Sequence, residues 1–209
     1  KVMGEFMSRI QKLMPLCLTS LSGGAKDNAI PRSCQATMVA MGMYLERIND
    51  IAAELEKEIR EQYDEPEVKI YGDDVDALGG NALTTEDSAK VIALLNGAPN
   101  GIQAMCADMP GLVQTSLNMG VVKLGDKMNV TLSVRSSVNS EKREVLDQLK
   151  KLAEMFDASY VEDGAYPAWE FKKESRLRDV MVPTYKELFG TDAKVEAIHA
   201  GLECGLFTE

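Results

Sequence analysis

Histidine is almost absent from this chain: His199 is the only one in 209 residues. A self-sufficient one- or two-zinc hydrolytic centre is thereby excluded, because such a centre gathers several His, Asp and Glu ligands at short spacings. No H-x-D, H-E-x-x-H or adjacent Glu-Glu pair occurs. The nucleophile and phosphate-binding signatures G-x-S-x-G, G-x-x-x-x-G-K-[ST] and G-x-G-x-x-G are missing as well. The four cysteines, Cys17, Cys34, Cys106 and Cys204, have no C-x-x-C spacing, so they read as reduced thiols of a cytosolic protein rather than a zinc knuckle or a redox pair. Basic residues are outnumbered, 23 against 33 acidic, for a formal net charge of -10. Nucleic acid and anionic membrane both need clustered positive charge and are not expected partners. No run approaches the roughly 18 consecutive apolar residues of a membrane span. The opening KVMGEFMSRIQKLM has helical rather than signal-peptide character, so a cytoplasmic location is expected. That opening also lacks an initiator Met, which predicts a chain cut from something longer.

What is present is 45% hydrophobic, enough for a sizeable core. Phe6, Ile10, Leu13 and Met14 recur at helical spacing before Pro15, and residues 16–21 and 33–41 read as strands joined by the turn-forming string SGGAKDN. Residues 45–63 form a long amphipathic pattern, followed by a predicted short strand at 68–71 and an acidic boundary stretch at 72–83. Thr84 or Thr85 then caps a helix running to about Leu95. The second half repeats this order: strands at 112–122 and 128–136 around a tight turn, a helix at 140–156 and a strand at 159–162. Even the wording recurs, TSLSGG at 19–24 against TSLNMG at 115–120. The predicted class is α+β: duplicated ferredoxin-like α-β-β-α-β units forming antiparallel sheet with helices on one face. Residues 164–209 differ, with a loop GAYPAW, a helix over 175–189 ended by Gly190, and a strand at 194–198 delivering His199 into the string IHAGLECG.

The strings SGGAKDNAIPR, PNGIQAMCADMPGLVQTSLNMGVV, VRSSVNSEK, YPAWEF and IHAGLECG resemble, in the same order, the Xaa-His dipeptidases. These are also called aminoacyl-histidine or cytosol non-specific dipeptidases, and they belong to the di-zinc aminoacylase and carboxypeptidase superfamily. The resemblance implies a parent whose α/β catalytic domain binds two zinc ions and carries an inserted lid or dimerisation domain. Residues 1–172 then correspond to the lid, in repeats of about 1–83 and 84–172, and 173–209 to a return segment of the truncated catalytic domain. The family's metal ligands and catalytic carboxylates fall outside these residues. The resemblance thus implies a zinc-dependent dipeptidase as the parent, and a fragment that holds no catalytic residue, binds no metal and is inactive alone. Its implied partners are a dipeptide substrate and a second copy in a homodimer. The alternative is a stand-alone duplicated ferredoxin-like module that only dimerises or binds small ligands.

The same resemblance singles out substrate-binding positions. Asn28, in NAIPR, matches a lid Asn that hydrogen-bonds the substrate or the developing oxyanion; Arg135, in VRSS, matches an Arg that pairs with the substrate's C-terminal carboxylate. The chemistry suits both, since a planar guanidinium binds a carboxylate through two parallel hydrogen bonds and an amide donor stabilises negative charge. Read without the family, Asn28 is a turn residue beside Asp27, and Arg135 is one half of a surface ion pair. His199, Gly201 and Glu203 match a loop at the pocket rim, the plain alternative for His199 being a hydrogen-bonded core histidine.

Overall fold

The computed structural model describes residues 1–75, 81–196 and 199. Helices form where apolar residues recur every three to four positions: α1 Val2–Leu13, α2 Leu45–Tyr63, α3 Thr85–Gly97, α4 Asn139–Met155 and α5 Arg176–Phe189. Strands form at β1 Cys17–Gly23, β2 Cys34–Val39, β3 Gly101–Met105, β4 Val113–Leu124 and β5 Met128–Ser136. The result is a mixed α/β chain with antiparallel pairing of β1 with β2, β1 with β4 and β3 with β4, and β5 pairs with β4 as well. It divides into two units, one made of Lys1–Asn100, Asn118–Ser133 and Lys151–Ser159, the other of Gly101–Leu117, Val134–Lys150 and the segment from Tyr160 onward.

The first unit holds the main apolar core. Leu16, Leu18 and Leu21 along β1 and Met119, Val122 and Leu124 along β4 meet Phe6, Met7 and Ile10 of α1, Ile48, Ile51 and Leu55 of α2, and Val91, Ile92 and Leu95 of α3. The helical spacings 48, 51, 52, 55 and 88, 91, 92, 95 put these side chains on single stripes. The opposite face of α2 carries Arg47 with Asp50 and Glu54, Lys57 with Glu61, and Arg60 with Glu56. α3 begins where Thr84 Oγ1 accepts the Asp87 N–H at 3.0 Å. Fully buried Ser88 Oγ accepts the Leu18 N–H at 2.9 Å, so a helix side chain satisfies a strand donor. Arg9 of α1 forks onto both oxygens of Glu58 in α2, which holds the Glu58 carboxyl below its usual range.

In the second unit, β3 pairs with the first half of β4, and α4 buries Val145 and Leu149. Arg143 on the outer side of α4 binds Asp147 and both oxygens of Glu162. α5 starts at Ser175, whose Oγ accepts the Arg178 N–H, and ends at Gly190 in the left-handed region, as the sequence predicts. None of its residues is buried.

The closing strand of each expected repeat does not form. At 68–71 the backbone groups go to side chains of α2 instead of a ladder. Arg60 donates to the Val68 carbonyl, Glu56 accepts the Ile70 N–H at 2.7 Å, and Asn49 both accepts from and donates to Gly72. At 159–162 Val161 is 82% exposed and Glu162 is taken by Arg143 and Tyr160, leaving no apolar face to bury. Residues 194–196 form no strand either, and 197–198 lie outside the described residues. Conversely β3 escapes sequence reading, because Gly101–Met105 is short and mostly exposed and lacks a period-two apolar pattern. What stands is α1-β1-β2-α2 and, around the additional β3, α3-β4-β5-α4.

Two substitutions test this account by denaturant unfolding. Thr84→Ala removes only the α3 cap and is expected to cost about 1 kcal/mol. Leu55→Ala, at a side chain 2% exposed in the core, is expected to cost roughly 2–5 kcal/mol.

Candidate functional site

Asn28 belongs to the first unit and sits in the turn between β1 and β2. The turn is closed by the Gly24 N–H on the Ser33 carbonyl at 3.3 Å. Gly24 has φ of +75°, and a Cβ there would lie 1.8 Å from the Gly120 carbonyl oxygen. A Cβ on Gly120 would in turn stand 2.2 Å from the Asp27 carbonyl oxygen. Only glycine at both positions lets the turn lie this close to β4. The Asn118 carboxamide then donates to the Asp27 carbonyl at 3.3 Å and the Ala29 carbonyl at 2.7 Å, holding the backbone on either side of Asn28. The Asn28 N–H is taken by Asp27 Oδ1 at 2.8 Å. Its carboxamide is exposed and has no hydrogen bond among the described residues. A firmly held backbone thus presents a free amide to solvent, which can donate to an oxygen or accept from an amine.

Arg135 and His199 come together in the second unit. Arg135 is the penultimate residue of β5, half-buried, with no hydrogen bond or ion pair among the described residues. The half-buried His199 places Nε2 2.7 Å from Ser116 Oγ. Burial pushes the His199 pKa down from 6.5, the nearby Arg135 charge pushes it further, and a hydrogen bond to the Val113 backbone pulls the other way. The imidazole is therefore neutral at pH 7, and the guanidinium beside it is the charged group. Gly201 and Glu203 lie outside the described residues.

Ser116, Asn118 and Glu141 were not found by sequence reading, although two of them lie in the quoted string TSLNMG. Along β4 Thr115, Leu117 and Met119 are buried, while Ser116 and Asn118 on the alternate face are half-buried. Polar residues there were readable as period-two, but their partners are distant in sequence. Glu141, in the first turn of α4, accepts from Gln114 Nε2 at 2.5 Å and from the Thr115 hydroxyl, and Thr115 Oγ1 lies 2.7 Å from Ser136 Oγ. An open cavity of about 260 Å³ beside them is lined by Gln103 and Ala104 of β3 and by Glu144 and Gln148 of α4, among others.

Zinc does not fit the residues described. No three His, Cys, Asp or Glu side chains among them could share a metal ion, and the single imidazole directs Nε2 at a serine hydroxyl. Cys17, Cys34 and Cys106 are free thiols.

Over almost its whole length the chain is similar to part of two dipeptidases. The chain is 31% identical over 210 residues to the cytosol non-specific dipeptidase of Escherichia coli (strain K12), a match covering 99% of this chain and 43% of that protein. Its structure is similar to the crystal structure of aminoacylhistidine dipeptidase from Vibrio alginolyticus, with a TM-score of 0.90 and 29% identity over 99% of this chain and 43% of that one. No family model matches the chain. The resemblance carried by the motifs therefore extends from end to end of these residues, which span less than half the length of the dipeptidases they match.

Because His199 is the only imidazole, its titration can be followed as one NMR resonance. A midpoint below 6.5 is expected, moving upward in Arg135→Gln as the neighbouring charge is removed. The unfolded chain binds the proton more readily, so the stability this site contributes is complete above about pH 6.5 and is lost as pH falls toward the folded value. Gly120→Ala should displace the 24–33 turn. Large shifts of the Asn28 backbone amide with an intact helical CD signal would show this, and an unmoved amide would refute the close-approach argument.

Proposed function

We propose that residues 1–172 are the lid and dimerisation domain, and 173–209 the return segment of the catalytic domain, of a zinc-dependent cytoplasmic dipeptidase that hydrolyses unblocked dipeptides, including Xaa-His. The names of the relatives support the reaction class. The observation that carries the role of this stretch is Arg135, a half-buried guanidinium without a counter-charge among the described residues. Arg135 receives the dipeptide's C-terminal carboxylate in two parallel hydrogen bonds and so fixes the distance from the chain terminus to the scissile bond. Asn28 donates its amide to the scissile carbonyl oxygen, a contact that strengthens as negative charge develops there. His199, Gly201 and Glu203 form the rim. His199 stays neutral and does not compete with Arg135 for the carboxylate.

The exposed apolar face of α5, with Leu177 at 69%, Leu188 at 71% and Phe189 at 65% exposure, favours this reading over a stand-alone ferredoxin-like module, in which that helix would cover the module's own sheet. The 209 residues alone are proposed to be inactive, since the sequence holds a single His and none of the spacings of a zinc centre.

The experiment is NMR-detected binding of an Xaa-His dipeptide to the chain, with the same dipeptide as its C-terminal amide for comparison. The free acid should bind at least about tenfold more tightly, the difference vanishing in Arg135→Ala. Equal binding of acid and amide would sink the role of Arg135. Sustained dipeptide cleavage by the purified chain with zinc added would overturn the proposed inactivity.

A further inference from the structure

The geometry points to Glu141 as the positioning residue for Arg135 and for the Ser116–His199 pair, acting through the β4-β5 hairpin from its opposite face. This inference rests on the reading of Arg135 as the carboxylate receiver. Its starting point is register. The Ser137 N–H donates to the Gln114 carbonyl at 3.1 Å, and continuing that antiparallel pairing sets Thr115 opposite Ser136 and Ser116 opposite Arg135. Side chains alternate, so the first pair faces Glu141 of α4 and the second pair lies on the other face of the hairpin. Burial agrees, with Thr115 at 1% and Ser136 at 7% exposure and Ser116 and Arg135 half-buried.

The inward pair is tied to one carboxylate. An ionised Glu141 can only accept, so the Thr115 hydroxyl donates to it; the single Ser136 hydroxyl proton has both Thr115 Oγ1 at 2.7 Å and the Val138 carbonyl at 2.9 Å within reach, and the Val138 N–H donates to Ser136 Oγ at 3.0 Å. The Thr115 hydroxyl and the Gln114 carboxamide thus both donate to the charge, one to each carboxylate oxygen. The charge itself sits in the first turn of α4, where the helix dipole favours it. A slip of β5 by one residue would turn Arg135 inward and Ser136 outward, and it would also take Ser136 away from the Thr115 hydroxyl that the Glu141 carboxylate holds. Glu141 thereby holds the outward pair at its place without touching a substrate.

The test uses the 209-residue chain and two readouts: the NMR titration midpoint of His199 and the preference for a free-acid dipeptide over its amide. Glu141→Ala should move the His199 midpoint toward 6.5 and reduce the free-acid preference by about tenfold, the scale of a misplaced binding group. Glu141→Gln, which keeps an acceptor for Thr115, should fall between Glu141→Ala and the unchanged chain. Thr115→Val removes the same tie without altering the charge and serves if Glu141→Ala fails to fold. A purely structural role lowers the melting temperature and leaves both readouts unmoved. An unmoved midpoint, or an undiminished free-acid preference, overturns the inference. If the unaltered chain itself shows no preference for the free acid, the reading of Arg135 fails, and the His199 midpoint alone decides the role of Glu141.

Discussion

Side chains on a strand alternate between two faces, and the chemistry of this chain depends on how β4 uses that constraint. Thr115, Leu117 and Met119 are buried while Ser116 and Asn118 remain half-buried on the other side. One segment therefore supplies core residues and polar anchors at once. Met119 joins the apolar core of the first unit, and Asn118 in that unit holds the turn of Asn28. In the second unit Thr115 joins the Glu141 tie and Ser116 holds His199. Register is consequently worth more here than in a strand with one polar face exposed to bulk water, because a slip would exchange all these duties together.

The polar groups that the fold buries are matched almost completely. Among the described residues no buried side-chain nitrogen or oxygen lacks a partner, and Ser88 and Thr115, the deepest of them, serve a strand N–H and a carboxylate. Leaving either unmatched would cost more than the bond itself contributes. The same economy explains residues 68–71, where Glu56, Arg60 and Asn49 supply hydrogen bonds that a neighbouring strand would otherwise provide. An extended segment pinned by helix side chains is a stable alternative to a strand whenever those side chains are near in space.

This last point marks the limit of what the residues alone reveal. The stripe of α2, the alternation of β5, the Thr84 cap and the Gly190 stop are local patterns, and the structure reproduces them at Leu45–Tyr63, Met128–Ser136, Thr85 and Phe189. The strands expected at 68–71 and 159–162 fail because their apolar residues find no sheet to join, and short apolar runs carry no information about that. Asn118 and Asp27 are 91 residues apart, and Thr115 and Glu141 are 26 apart. No periodicity links such pairs. Asn28 and Arg135 entered only through resemblance to a family, since a turn Asn and a strand-end Arg are ordinary by composition.

Charge makes Arg135 less ordinary. With 33 acidic side chains against 23 basic ones, an arginine in this chain has acids to spare, and Arg9, Arg47, Arg60 and Arg143 each take one or two. Arg135 takes none among the described residues, although it is half-buried and its neighbour His199 is kept neutral. Withdrawing a guanidinium from water without a counter-charge costs free energy. Under the proposed function the dipeptide's carboxylate supplies that counter-charge. The net charge of -10 does not oppose this at close range, because exposed charges beyond about 8 Å are largely screened at physiological ionic strength. Under that proposal, recognition of an anion by an acidic chain is a local matter, decided within hydrogen-bonding distance of one guanidinium.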